Sequence, residues 1–141
     1  MRSGLLLIDK PKGMTSHDVV SSVRRILVQK QVGHAGTLDP LATGLMVVLM
    51  GEATKLSDYI LTGNKSYYVE ALLGVRSTTG DTDGEVIEQK EVTTSLESVV
   101  RAVEQLKGDF IWQVPIYSAT KVGGKKLYEK ARAGEVFTPP A

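Results

Sequence analysis

The sequence predicts an α+β fold, in which a mixed, mainly antiparallel sheet is flanked by helices. Three observations support this prediction. Strand-like and helix-like segments follow one another without the regular strand–helix–strand rhythm of a doubly wound parallel sheet. A chain of 141 residues is long enough to bury a core of its own. The composition, with 42% hydrophobic and 23% charged residues, is that of an ordinary soluble domain.

The first half of the chain is predicted to contain three strands and two helices. Residues 4–9 form an apolar run that ends in a Pro/Gly turn, which predicts a buried strand. Ser16 is a candidate N-cap, because the apolar residues after it recur with helical spacing. The segments that follow are a glycine-rich loop, a strand, a helix and a strand, at residues 33–44, 45–50, 53–61 and 65–73.

The second half is predicted to be less regular. A polar loop at residues 76–84 precedes an edge-like strand at residues 85–92. Ser95 is then expected to cap an amphipathic helix that stops at Gly108. Gly134 is expected to close a last short helix. The segments after Gly108 are two short strands and that helix, at residues 110–113, 117–122 and 126–133.

Composition excludes several kinds of protein and site. There is no cysteine, so disulfides, thiolate nucleophiles and cysteine-based zinc sites are ruled out. The longest apolar run, residues 45–50, is strand-sized and far too short to span a membrane. The first residues lack the features of a signal peptide. We therefore expect a cytoplasmic protein.

The charge of the chain is unevenly distributed, although the net value is only +1. Basic residues outnumber acidic ones up to His34, and they do so again near the end, around Lys121 and Lys125. An acidic stretch at residues 81–91 lies between the two clusters. Two basic clusters on one fold would form a phosphate-binding face, but solvated surfaces explain these charges equally well.

The stretch with the most chemical groups is G-H-A-G-T-L-D-P-L-A-T-G, residues 33–44. Its glycines allow a ligand to approach the backbone closely, and it carries an imidazole, two hydroxyls and a carboxylate. It has no P-loop lysine, no third metal ligand beside His34 and Asp39, and no serine suited to a catalytic triad. On spacing alone, Asp39 is more simply a turn-capping residue before Pro40 than a catalytic group.

The same loop resembles the active-site motif of the TruB family of pseudouridine synthases. Other blocks in the same order are similar to further motifs of that family. They are L-I-D-K-P-K-G-M-T-S (residues 7–16), K-S-Y-Y-V (65–69), the Thr- and Asp-rich loop 76–84, and Y-S-A-T-K with K-L-Y-E (117–121 and 126–129). The resemblance spans essentially the whole chain. Leu41 resembles the residue of the bacterial branch of the family at this position of the motif. The guide-RNA-dependent branch is expected to have a lysine there.

This resemblance implies an RNA isomerase that acts on tRNA and needs no cofactor or metal. The family cleaves the N1–C1′ bond of one uridine in the T arm, rotates the base and rejoins it through C5. By its position in the motif, Asp39 is the catalytic carboxylate. It would either add covalently to the sugar or base, or take a proton from C2′ of the sugar, and the sequence leaves both routes open.

The resemblance also implies other site residues. His34 matches the histidine that helps to open the T loop, and Tyr67 matches the tyrosine that stacks on the target base. Tyr68 is a rival for that role, since alternation along a strand would let only one of the two face the site. Asp81 and Asp83 are expected to order their loop. Candidate phosphate contacts are Lys10, Lys12, Lys121 and Lys125.

Members of the family continue well beyond the length of this chain. They add further strands of the catalytic sheet, an arginine that pairs with the catalytic aspartate and a C-terminal RNA-binding PUA domain. Residues 1–141 are therefore expected to be the N-terminal portion of a pseudouridine synthase catalytic domain, inactive alone. The expected partner is tRNA, with no membrane and no obligatory protein partner. The main alternative is a non-catalytic RNA-binding module, against which the retained Asp39 argues.

Overall fold

The computed structural model describes residues 2–109, 111, 114, 118, 120–135 and 138. The chain forms two compact units, residues 1–71 and residues 72–141. Helices and small antiparallel sheets alternate along the described residues, which confirms the α+β prediction. None of the described helices combines the length and the apolar content needed to cross a bilayer.

The first unit is built on a three-stranded antiparallel sheet. Its strands are β1 (Gly4–Lys10), β2 (Val32–His34) and β3 (Gly44–Met50), and β3 lies in the middle. Helix α1 (Ser16–Leu27) connects β1 to β2. The predictions for β1 and β3 were right to within one residue, while β2 begins just before the predicted loop and takes its first two residues.

The core of this unit lies between α1 and one face of the sheet. Val19, Val20 and Val23 of the helix pack against apolar side chains of β2 and β3, all of them buried. Removing such side chains from water is the largest favourable contribution to folding. On the other face of the sheet, Leu5 is 51% and Leu7 70% exposed, whereas Leu49, directly opposite Leu5, is 0% exposed.

The N-cap of helix α1 lies one residue before the predicted cap. Thr15 is the N-cap, and its hydroxyl accepts from the backbone N–H of Asp18 at 3.1 Å. The Asp18 carboxylate in turn accepts from the Thr15 hydroxyl and backbone N–H, which hold the pKa of that carboxyl below its usual value. A capping box needs a suitable side chain three residues after the cap, and of the two candidates, Thr15 and Ser16, only Thr15 has one, Asp18. The prediction that Ser16 is the cap was therefore wrong.

Helix α1 ends at a strained residue. Val28, the C-cap, has φ 51° and ψ 44°, which is the left-handed conformation that glycine and asparagine adopt most readily. A β-branched residue is an outlier there. Since the Val28 side chain is 92% exposed, little packing compensates for the strain.

Val28→Asn is therefore expected to raise the free energy of unfolding by about 1 kcal/mol, since asparagine tolerates the left-handed region. Chemical denaturation would measure the change. Ile26→Asn is the matched control, because Ile26 is also exposed but lies inside the helix. An equal gain in both variants would mean that loss of an exposed apolar side chain, and not relief of strain, is responsible.

After β3 the chain forms a 3-10 helix (Gly51–Leu56) and a short helix α2 (Ser57–Leu61), where one helix was predicted. The strand predicted at residues 65–73 is absent, because these residues form no backbone ladder. Side chains 65–70 are all exposed, so they have no buried surface against which to alternate. That prediction was wrong, so alternation along a strand does not distinguish Tyr67 from Tyr68.

Within its described residues, the second unit contains two small hairpins and two helices. Strands β4 (Val75–Ser77) and β5 (Val86–Gln89) pair, although residues 76 and 77 were predicted to be loop. Ser95 caps helix α3 (Leu96–Glu104) as predicted, but the helix ends before Gly108. Strands β6 (Lys121–Val122) and β7 (Lys125–Lys126) precede helix α4 (Leu127–Arg132). Most of the strand residues predicted between 110 and 119 lie outside the described residues.

Candidate active site

Asp39 lies on the loop between β2 and β3, and its side chain is exposed. The backbone carbonyl of Asp39 accepts from the N–H of Ala42 at 3.0 Å, which closes a turn with Pro40 at its second position. The turn expected from spacing alone is therefore present. It employs the backbone of Asp39, so the carboxylate is not consumed in making it.

The residue before Asp39 is held by helix α1. The hydroxyl of Ser16 donates to the carbonyl of Leu38 at 3.1 Å and accepts from the N–H of Leu38 at 2.9 Å. Ser16 is only 3% exposed. One side chain thus satisfies both backbone groups of the residue that precedes the carboxylate.

The residue after Asp39 is held by the turn that follows β1. The carbonyl of Pro40 accepts from the N–H of Gly13 at 2.7 Å and from Nζ of Lys10 at 3.4 Å. The same Nζ donates to the carbonyls of Pro11 at 3.1 Å and Met14 at 2.8 Å. The segment after β1 therefore fixes the chain on the far side of the carboxylate.

The prediction that Lys10 contacts phosphate is contradicted, because its side chain is 0% exposed and its ammonium group binds three carbonyl oxygens. A buried ammonium requires such partners. We assign Lys10 to holding the loop. Lys12, two residues on, is exposed, and its predicted phosphate contact remains a prediction.

A cleft of about 390 Å³ opens beside the loop. Residues 35–38 form one wall, residues 45–47 of β3 contribute a second side, and Tyr67 lies on the wall formed by residues 64–67. Lys65 holds this wall at the end of α2, since its ammonium donates to the carbonyls of Leu61 and Gly63. The residue that precedes Asp39 and an aromatic ring thus line the same cleft.

The cleft distinguishes the two candidate tyrosines, because only one of them lines it. Tyr67 lines it, whereas Tyr68 does not, is 90% exposed and has its hydroxyl 3.4 Å from the carboxylate of Glu70. The structure therefore favours Tyr67, although no strand sets the two apart. Its role in stacking remains a prediction.

His34 is the last residue of β2 and pairs with Val48 of β3. It is half-buried, and its Nδ1 is buried without a hydrogen-bond partner among the described residues. It follows Val32 by two positions and so belongs to the face that α1 covers. Neither His34 nor Asp39 is among the residues that line the cleft, although Leu38, which directly precedes Asp39, is one of them.

The basic residues predicted near the end of the chain lie on the β6–β7 hairpin of the second unit. Gly123 and Gly124 form its turn, both with positive φ, as a tight two-residue hairpin loop requires. Lys121 is exposed and sits directly opposite Lys126, and Lys125 pairs with Glu135 at 3.1 Å. The Lys126 ammonium donates to the hydroxyl of Tyr128 at 3.3 Å, so Lys121 is the more accessible of the two to a phosphate.

The loop between β4 and β5 is ordered by Asp81, as predicted. Its carboxylate accepts from the Thr79 hydroxyl at 2.5 Å and from the N–H of Asp83 at 2.9 Å. The hydroxyl of Thr79 is the main cause that lowers the pKa of Asp81. The resulting stability is present above the ordinary pKa of the group and is lost as the pH falls through the lowered value. Within the described residues, no cluster of acidic and histidine side chains is arranged to hold a metal ion.

These contacts define a class of site. A single exposed carboxylate stands on a loop whose backbone is fixed on both sides, next to a cleft that contains an aromatic ring. Such a carboxylate can act as a nucleophile or as a base toward a planar group in the cleft. This arrangement is suited to an enzyme that works with one carboxylate.

Comparison with known proteins shows to which family the chain belongs. Residues 24–141 match the model of the TruB family pseudouridylate synthase, N-terminal domain. The tRNA pseudouridine synthase B of Bdellovibrio bacteriovorus is 51% identical over 139 residues, covering 98% of this chain and 45% of that protein. That of Alkaliphilus oremlandii is 51% identical over 132 residues, covering 94% and 44%. The chain therefore belongs to the TruB family, and it spans less than half the length of these curated relatives.

Solved structures agree with this assignment. A chain in the crystal structure of a Cbf5-Nop10-Gar1 complex superposes with a TM-score of 0.55 at 26% identity, covering 84% of this chain and 31% of the other. A chain in the structure of an H/ACA RNP bound to a substrate RNA gives 0.51, also at 26% identity, covering 78% and 29%. Both support the α+β fold.

Proposed function

We propose that the whole protein converts one uridine in the T arm of tRNA to pseudouridine and uses Asp39 as its catalytic carboxylate. The observation that carries this proposal is the Asp39 loop, which presents an exposed carboxylate from a backbone held at Leu38 and Pro40. Membership of the TruB family supplies the reaction class. The substrate class agrees with the curated relatives, which are named as tRNA pseudouridine synthases.

In the proposed reaction, Asp39 acts on the ribose or base of the target uridine. It either adds covalently or removes a proton from C2′, and the N1–C1′ bond breaks. The base rotates, a bond forms between C1′ and C5, and Asp39 either leaves the adduct or returns its proton to C2′. The proton on C5 then leaves and N1 takes up a proton. The product is an isomer of the substrate, so no oxidant, reductant or cofactor is needed.

Tyr67 would stack on the target base after the base leaves the RNA helix. An enzyme that acts on a base must first take it out of the stack, and an aromatic wall lowers the cost of doing so. Tyr67 meets this requirement because it lines the cleft beside residues 36–38 of the Asp39 loop. We further propose that His34 contacts the opened T loop, since it stands at the entrance to the same loop.

The proposed substrate predicts where the protein acts and with which partners. It would act in the cytoplasm on tRNA, without an obligatory protein partner. The superposed chains come from assemblies with other proteins or RNA. The proposed reaction does not require such an assembly.

Release of tritium tests the proposed function directly. The full-length protein would be mixed with T-arm RNA that contains uridine labelled with tritium at C5. We expect release of one tritium per RNA, because only the target uridine loses its C5 hydrogen. An RNA in which cytidine replaces the target uridine is the control and should release none. Failure of the full-length protein to release tritium from either RNA would refute the proposal.

Binding of tRNA is expected to be largely electrostatic. The affinity of the full-length protein should fall steeply with added salt, because each neutralised phosphate releases counterions. Lys121→Ala should reduce the slope of log affinity against log salt by about one, if Lys121 contacts a phosphate. Lys107→Ala is the control, since the Lys107 ammonium already pairs with Glu104 at 2.6 Å. An affinity that is insensitive to salt would contradict this prediction.

A further inference from the structure

We propose that Ser16 is a positioning residue for Asp39, an inference that rests on the proposed function. Its hydroxyl both donates to the carbonyl and accepts from the N–H of Leu38, at 3.1 and 2.9 Å. Leu38 is the residue directly before the carboxylate. The side chain therefore acts on the loop as a neighbouring strand would, by pairing with both backbone groups of one residue.

The hydroxyl of Ser16 has no competing task in helix α1. Thr15 is the N-cap and closes the capping box with Asp18. Ser16 is the first helical residue, and its hydrogen bonds to Leu38 bridge 22 positions in the sequence. A hydroxyl offers one donor and two acceptor sites, which is enough for both bonds. Burial of Ser16 keeps water from replacing them, since only 3% of the residue is exposed.

Loss of this anchor would leave the loop without support between Ala35, whose N–H donates to the carbonyl of Val47 at 3.0 Å, and Pro40. Pro40 would still bind Gly13 and Lys10, so the chain would remain near the sheet and the protein folded. Leu38 would be free to shift, and Asp39 would turn about the remaining anchor at Pro40. A displacement of about 1 Å at a reacting group costs as much as about a hundredfold in rate.

The test is Ser16→Ala in the full-length protein. We expect kcat for tritium release to fall by about ten- to a hundredfold, with KM for the RNA within about twofold, because the residue acts on positioning and not on binding. Thr15→Ala is the matched control. It lies one residue away and removes the cap of the same helix, so it should lower the unfolding midpoint and leave kcat near the wild-type value.

Hydrogen exchange tests the anchor without depending on turnover or on a stable variant. In the wild-type protein the Leu38 amide should exchange slowly, although it lies in a loop and has no backbone partner. Ser16→Thr, which retains the hydroxyl, should keep that protection and should lose less kcat than Ser16→Ala.

The outcomes separate the two proposals. An inactive wild-type protein would overturn the proposed function, and the inference about catalysis would go with it. An active wild type together with an equally active Ser16→Ala would overturn only the role of Ser16. Rapid exchange of Leu38 in the wild type, or an equal loss of kcat in Thr15→Ala, would also overturn it.

Discussion

Asp39→Asn in the full-length protein will abolish tritium release from C5 while tRNA binding persists. Asparagine keeps the shape of the side chain but supplies neither a nucleophile nor a base. The fall in kcat should be at least about a thousandfold, the loss typical when a central catalytic group is removed. The loop should keep its structure, because its anchors bind the backbones of Leu38 and Pro40 and not the carboxylate.

The matched control for this variant is Asp58→Asn. Asp58 is an exposed carboxylate of the same unit, on α2, and it takes no part in the proposed chemistry. It should release tritium at the wild-type rate. Binding of labelled tRNA, measured for both variants, separates a chemical defect from a binding defect. Turnover by Asp39→Asn above a tenth of the wild-type rate would refute the assignment of Asp39.

A protein that consists of residues 1–141 alone is expected to have at most about a hundredth of the activity of the full-length enzyme. The curated relatives are more than twice as long, since the chain covers 45% and 44% of them. The strands and the arginine that the family resemblance implies would lie beyond this length. Without them, the exposed Asp39 would lack the partner that orients its carboxylate.

The same shortened protein is expected to self-associate. Leu5 and Leu7 are 51% and 70% exposed on the face of the first sheet that points away from α1, and Leu96 of α3 is 75% exposed. Exposed apolar surfaces of this kind favour association. Size-exclusion chromatography of residues 1–141 would detect it, and the tritium assay run beside the full-length enzyme would give the relative rate. Activity within tenfold of the full-length value would show that the remaining sequence is dispensable for catalysis.

Local sequence patterns predicted those elements whose determinants are also local. The apolar run after Gly4 became β1, and the helix capped by Ser95 formed where its spacing indicated. Residues 65–73 show the limit of such patterns. Their composition suits a strand, but a strand exists only where a neighbour supplies hydrogen bonds, and composition does not report the neighbour.

The candidate site, too, was predictable only where its determinants are local in the sequence. The motif predicts Asp39 as the catalytic carboxylate, because it resembles the active-site motif of one family. It did not identify the residues that hold the loop, because the contacts from Ser16 and Gly13 join positions more than twenty residues apart. Lys10 was misassigned for the same reason. A lysine in a turn is usually solvated, and only the fold reveals that carbonyl oxygens surround this one.

Antiparallel pairing of β1 with β3 places Lys10 directly opposite Gly44. The turn that follows one strand and the loop that precedes the other therefore leave the sheet at the same end, where residues 10–16 meet residues 38–40. These segments form one exchangeable unit for protein engineering. Consider a chimaera that receives residues 33–44 from a distant relative but keeps its own residues 10–16. It would carry the aspartate on a loop that residues 10–16 do not hold correctly. Transplanting both segments together would preserve the fit.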